Sequence, residues 1–188
     1  SYPIHLRDSE IWLVDTDTAA LDLIGRYAGR INQSQGELLD IRVTPDRREA
    51  LAGADFVIVA AAVDRIRTWQ LDWQIPLKHG VRHVLGENGG PGGLSHALRS
   101  IPMMLDIARD VEALAPNALV INFTNPMSRV CMALHRHTSL QFVGLCHQIG
   151  EGYWLVNKAL GLVKDTGDRA TTQRNAERRM RITAAGLN

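Results

Sequence analysis

Cysteine is scarce: Cys131 and Cys146 are the only two in 188 residues, too few for a disulfide framework. A reducing cytoplasm is therefore the expected setting. No apolar run approaches the ~20 residues of a membrane-spanning helix, and no signal-peptide pattern opens the chain. Basic blocks and stripes are missing too. Lys and Arg number 21 against 20 Asp and Glu, a formal net charge of +1, which argues against nucleic acid or an anionic membrane as the main partner. Neither of the common glycine motifs is present. There is no P-loop, and the G-x-G-x-x-G fingerprint of a dinucleotide site, expected on a strand ahead of Glu10, is absent. No internal repeat or low-complexity tract occurs. An initial Met is also missing. Both ends are expected to be cut, because Arg181–Leu187 reads as a strand with its exit turn and only Asn188 follows.

What is present fits a globular protein, with 45% hydrophobic and 22% charged residues. The length suits one good-sized domain or one and a fraction. Apolar runs and helical periods alternate along the chain. Glu10–Asp15 is four apolar residues closed by an acid, as in a doubly covered parallel strand. Residues 19–31 carry Ala20, Leu23, Ile24, Tyr27, Ala28 and Ile31 at helical spacing, with Thr16, Asp17 and Thr18 as capping candidates. Strands follow at 41–43, 55–61 and 118–122, and at the run 142–145 that ends abruptly at Cys146. The 55–61 signal is the strongest, continuous and β-branched. Helices are expected at 47–51, around 68–74, over 94–114, from Pro126 to about His137, and from after His147 to about Leu160. Gly86–Gly93 reads as a glycine-dense loop, and 163–177 as a polar loop without period. This alternation predicts an α/β fold: a Rossmann-like, mostly parallel sheet with right-handed crossovers and helices on both faces. The first strand and most of a C-terminal substrate domain would be missing.

In such a sheet, ligands bind outside the carboxyl ends of the strands, so residues at strand exits are the candidates. Asp15 sits where an acid accepts hydrogen bonds from an adenosine ribose and repels a 2′-phosphate; it could equally serve as a helix N-cap. Asn122 and Asn125 flank an exit in Asn-Phe-Thr-Asn-Pro. Two amides can fix donors and acceptors of a sugar or a nicotinamide, or Asn125 can cap the helix that Pro126 opens. Cys146 and His147 stand side by side at an exit, where a thiolate and an imidazole could bind metal or do chemistry. A buried cysteine can also be merely a small hydrophobe, the reading given to Cys131. His135 and His137 read as a surface pair at a helix end, and His79, His83 and His96 lack metal spacing.

Taken together, Gly86-Glu87, Gly90-Pro91-Gly92-Gly93, Ala97–Pro102, Asn122–Met127, Gly144-Leu145-Cys146-His147 and Ala185–Asn188 resemble glycoside hydrolase family 4, from about Glu10 to the end. That family is the NAD-dependent exception among glycosidases. The resemblance implies NAD⁺ oxidation of the sugar's 3-hydroxyl and metal-assisted loss of the carbon-2 proton, usually with Mn²⁺. Elimination of the glycosidic oxygen, water addition and re-reduction would follow. By position it assigns Cys146 to the metal, His147 to a candidate general acid and Asn125 to substrate. It places Asn122 beside the cofactor, Asp15 on the ribose and Glu87 near a substrate hydroxyl. The family's second metal ligand, a His after Gly-Leu-Asn, would fall one residue beyond Asn188. The tyrosine base would also lie elsewhere.

The resemblance further implies a dinucleotide-binding domain over 1–180 and the start of a catalytic domain over 181–188. A homodimer or homotetramer is expected. Asn88-Gly89 departs from the usual Thr-rich sequence, and Arg65 and Arg67 do not align securely with the family's sugar-contacting Arg. A His after the Cys resembles members acting on unphosphorylated glycosides, neutral or with an anionic 6-substituent. The competing readings are a lactate/malate-like 2-hydroxy acid dehydrogenase and a catalytically incomplete dinucleotide-binding protein.

Overall fold

The computed structural model describes residues 6–83 and 89–183. Along the chain run β1 (Glu10–Val14), α1 (Thr18–Ser34), β2 (Asp40–Thr44), α2 (Arg47–Leu51), β3 (Phe56–Val59) and α3 (Arg65–Lys78). Then come α4 (Gly90–Leu114), β4 (Leu119–Asn122), α5 (Met127–His137), β5 (Gln141–Gly144), α6 (Gln148–Leu160) and α7 (Arg169–Glu177). The alternation expected of an α/β fold is present. β1 and β2 form a parallel pair, and β3, β4 and β5 form a three-stranded sheet in that order. Leu119 N–H donates to the Asp55 carbonyl at 3.0 Å and Phe123 N–H to that of Val59 at 2.7 Å. The partners advance together by four residues, so β3 and β4 run parallel.

The chain divides into two compact units. The first holds residues to Val57 together with 106–119 and 138–141. Here β1 and β2 pair from Glu10 opposite Asp40 to Val14 opposite Thr44. Asp17 caps α1 by accepting from the amides of Ala19 and Ala20, both at 3.0 Å, which satisfies two of the helix's orphan donors. The apolar stripe of α1 turns inward less than its spacing implied. Leu21 is buried, while Leu23, Ile24, Tyr27 and Ile31 are exposed. The buried apolar residues of this unit are Leu21, Leu51, Ala108, Val111, Ala115, Ala118 and Leu140. Asp110 of α4 ties α2 down. Arg47 Nε donates to it at 2.7 Å, and Arg48 pairs with its other oxygen. The Arg47 hydrogen bond, ahead of the charges of both arginines, holds the Asp110 carboxyl below its usual range.

The second unit holds 58–105, 120–137 and 142 onward. Val59, Ala97, Met104, Val120, Val130, Leu134 and Ala176 are buried in it. Asp72 of α3 and Arg99 of α4 form a two-pronged ion pair, with Arg99 Nη1 at 3.0 Å from one carboxylate oxygen and Nη2 on the other. The Asp72 side chain is 2% exposed and that of Arg99 19%. Arg99 also reaches Ser95 at 3.1 Å, so α3 and the early turns of α4 are fixed to one another.

Several expectations are corrected. The helix in the 64–79 stretch is longer than expected, running from Arg65 to Lys78. Gly90–Gly93, assigned to a loop, already belong to α4. Residues 163–177 are not all loop, because α7 occupies Arg169–Glu177 with Asp168 accepting from the Thr171 amide at 2.9 Å. The expected strand at 181–187 does not form over 181–183, and the rest lies outside the described residues. Nor is β1 fully covered, since both its ends are exposed.

Candidate active site

Three strand exits are laced together in the second unit. Phe123, just past β4, donates its amide to Val59 of β3 at 2.7 Å. Two residues further along β3's exit, the Ala61 amide donates to Thr124 Oγ1 at 3.1 Å. On the other side, Leu145 leaves β5 with its amide on the Asn122 carbonyl at 2.9 Å. The exits of β3, β4 and β5 are thus adjacent, as the placement of a ligand at strand ends requires.

The Asn-Phe-Thr-Asn-Pro segment makes this lacing possible. Asn122 is fully buried, and its amide is spent inside the loop. Oδ1 accepts from the Thr124 amide at 2.9 Å, while Nδ2 donates to the Thr124 carbonyl at 3.2 Å and to Cys131 Sγ at 3.7 Å. Asn125 is half-buried and accepts from the Met127 amide at 3.2 Å. That is the capping alternative for this residue. The Asn125–Pro126 bond is cis, and the Pro126 carbonyl takes the Val130 amide at 3.0 Å, which starts α5. Thr124, 2% exposed, is the residue that sequence reasoning passed over. A hydroxyl two positions after a strand's last Asn was the available signal, since such side chains bond nearby backbone groups.

Beneath the β5 exit lies a pair of sulfurs. A Cβ placed on Gly144 would stand 2.6 Å from both Cys131 Sγ and Met127 Sδ of α5. A larger residue there requires one of these side chains to shift, whereas glycine lets the strand run on to Cys146 undisturbed. Cys131 is half-buried rather than fully in the core. Burial pushes its thiol pKa up, and the Asn122 hydrogen bond opposes that shift.

Cys146 is exposed. His147 is exposed too and sits at the N-cap of α6, where its side chain makes no capping bond. Its carbonyl accepts the Glu151 amide at 3.1 Å, so the backbone is fixed while the ring is free of the helix. A thiol and an imidazole neighbouring one another on a surface exit can both address one ligand, which adjacent residues inside a strand cannot. Among the described residues no group of three or more His, Cys, Asp or Glu could hold a metal ion. A thiolate is a ligand of the soft type that binds transition metals, so Cys146 could supply one ligand at most and not a whole site.

Asp15 lies in the first unit, exposed at the exit of β1, and accepts from the Asp17 amide at 2.9 Å. The N-cap of α1 is Asp17, so Asp15 keeps its second oxygen available. Glu87 lies outside the described residues, as does Ala185–Asn188. Among the described residues no helix is long and apolar enough to cross a membrane.

Known proteins resemble this chain over most of its length. The sequence model of "Family 4 glycosyl hydrolase" matches residues 4–162. An alpha-glucosidase of Erwinia rhapontici is 47% identical over 146 residues, 77% of this chain and 32% of that protein. A 6-phospho-beta-glucosidase of Escherichia coli is 42% identical over 163 residues, 85% of this chain and 36% of that protein. The chain thus spans about a third of the length of these curated relatives. A 6-phospho-alpha-glucosidase from gut microorganisms, solved with NAD and Mn²⁺, superposes with a TM-score of 0.75 at 24% identity, covering 82% of this chain and 35% of that one. That likeness establishes the Rossmann-like fold.

Proposed function

The chain belongs to family 4 of the glycosyl hydrolases, and we propose that it forms the dinucleotide-binding part, residues 1–180, of a glycosidase dependent on NAD and Mn²⁺. Residues 181–188 then open its substrate domain. The observation that carries this reading is the joined exit of β4 and β5, which presents an exposed, uncapped Cys146-His147 pair next to the Asn122–Asn125 loop. The donor chemistry fits a metal in part: a thiolate suits a transition ion, with the remaining ligands drawn from beyond the described residues. The fit to a dinucleotide rests on Asp15, whose free carboxylate oxygen at a strand exit suits a ribose diol.

When bound, NAD would supply a reversible hydride acceptor and Mn²⁺ a Lewis acid. The chain's own residues divide the remaining work. Cys146 would hold the metal through its thiolate. His147, with its ring free, donates a proton to the departing glycosidic oxygen. Asn125 hydrogen-bonds the sugar, with one face of its amide occupied by Met127, and Glu87 meets a substrate hydroxyl. Asn122 acts next to the cofactor through the loop it shapes, because its side chain is buried and fully engaged.

An unphosphorylated glycoside, either a neutral hexoside or a uronide, is the proposed substrate. His147 after Cys146 favours it, and so does the similarity to an alpha-glucosidase. The similarity to a 6-phospho-beta-glucosidase makes the phosphorylated sugar the necessary comparison. A homodimer or homotetramer in the cytoplasm is the matching state. The test is a panel of aryl glycosides and their 6-phosphates on the complete protein, with and without NAD⁺ and Mn²⁺. The expected result is sugar release that needs both and accumulates no NADH. Stoichiometric NADH without glycoside cleavage would refute the reading.

A further inference from the structure

The hairpin of α6 and α7 carries a feature that the glycosidase reading does not use. Its second half, with all of α7, lies past residue 162, where the family match ends. α6 stops at Gly161, whose positive φ of 61° ends the helix. Asn157, 4% exposed, then grips Val163 at both ends: its Nδ2 donates to the Val163 carbonyl at 3.1 Å, and its Oδ1 accepts the Val163 amide at 2.8 Å. This clasp sets Leu162–Lys164 against the far end of α7. Between them is a cleft of about 340 Å³, lined by Leu162, Val163, Lys164, Asn175, Arg178 and Arg179.

The charge on this lining is one-sided. Lys164, Arg178 and Arg179 all reach it, and among the described residues no acid does. The acids of the hairpin are engaged elsewhere. Glu151 pairs with Arg169, and Glu177 accepts from Gln173. Asp168 caps α7. Asp165 accepts from Gly167 and Thr172 and lines a separate cleft of about 240 Å³. Arg169 and Arg174 have partners, in Glu151 and Thr171. Among the described residues, the three cations of the cleft have none. Like charges lining one cleft repel one another, weakly where, as here, all three residues are exposed to water. An anion shared among them removes that repulsion, and arginine forks match phosphate oxygens in geometry as well as charge.

We propose that this cleft binds a small organic phosphate. Lys164, Arg178 and Arg179 are its counterions and the Asn175 amide is a hydrogen-bond partner. The volume lies within the ~300–1,000 Å³ typical of small-molecule sites and exceeds what a bare ion fills. Leu162 and Val163 offer the apolar contact that an organic group uses. The site is independent of the glycosidase reading and needs no turnover to detect.

The test treats the complete protein with phenylglyoxal, which modifies accessible arginines, and maps the adducts by mass spectrometry. Phenyl phosphate is expected to protect Arg178 and Arg179 by at least tenfold and to leave Arg174 reactive. Calorimetric titration with the same probe should show one saturable site, weakened at least tenfold in Arg178→Gln/Arg179→Gln and unchanged in Arg174→Gln. Inorganic phosphate is the second arm, and equal protection by it would overturn the organic assignment. No protection by either probe, or equal protection of Arg174, would overturn the site itself. The protection arm uses unmutated protein, so it decides the matter even if the double variant does not fold.

Discussion

Gly144→Ala tests the physical core of the site more sharply than any substitution of a polar residue. The added methyl would stand 2.6 Å from Cys131 Sγ and 2.6 Å from Met127 Sδ, about 1 Å inside ordinary carbon–sulfur contact, where dispersion attraction has turned to repulsion. Met127 is long and can swing aside. Cys131 has a single rotor, and its sulfur already meets the Asn122 amide at 3.7 Å, so it yields less. Overpacking of this kind costs ~1–3 kcal/mol. Replacing glycine returns ~0.4–1 kcal/mol through the unfolded chain where the backbone tolerates the new side chain. The net expectation is a loss of about 1–2 kcal/mol on those two figures. Urea unfolding in a double-mutant cycle measures it. Cys131→Ala alone should cost a little by opening a gap. Combined with Gly144→Ala it should recover part of the loss, giving a favourable coupling of about 1 kcal/mol between residues in contact. Because Cys146 follows two residues later, Gly144→Ala should also weaken Mn²⁺ binding, and the double variant should restore it. A single variant as stable as the parent, or strictly additive effects, would refute the claim that these sulfurs set the path of the strand.

Cys146→Ser should lose high-affinity Mn²⁺ while retaining NAD, since a hydroxyl is the harder and poorer ligand; unchanged metal binding by calorimetry would remove Cys146 from the metal site. Asp72→Ala should cost about 3 kcal/mol, the lower end of the ~3–5 for stripping one partner from a buried pair, because the Arg99 side chain keeps 19% of its surface in water; replacing both residues by Leu and Met should cost far less in the same unfolding assay. Glu112 is held below its ordinary pKa, first by the Ser139 amide and then by the Ser139 hydroxyl. Its contribution is therefore present above the unfolded glutamate pKa and lost as pH falls through the depressed one. Glu112→Gln should flatten that part of the acid unfolding profile, and an unaltered profile would assign the acid sensitivity to other carboxylates.

The elements that could be read in the sequence were those whose signal is local. Phe56–Val59 and Leu119–Asn122 announce themselves by unbroken apolar runs, and α5 by apolar periodicity behind a proline. α7 did not, because the positions it buries are Thr172 and Ala176, one polar and one small, which together make no apolar period. Thr172 is buried because the Thr166 amide donates to its hydroxyl, which in turn donates to Asp165, a network that exists only once the loop has closed. The same division runs through the site. Cys146 and His147 were visible as unusual residues at the end of an apolar run. The preference for glycine at 144 was not, since it comes from two sulfurs on α5 that only the packed structure brings together. The Asn122 amide could be recognised as a polar group at an exit, yet its direction depended on Thr124 and Cys131. Sequence shows where an exit carries chemistry, whereas packing decides which side chains spend their polarity on holding that exit and which are left free to meet a ligand. Here Asn122 and Thr124 do the holding, and their fixed loop is what allows Cys146 and His147 to stand exposed without collapsing into it.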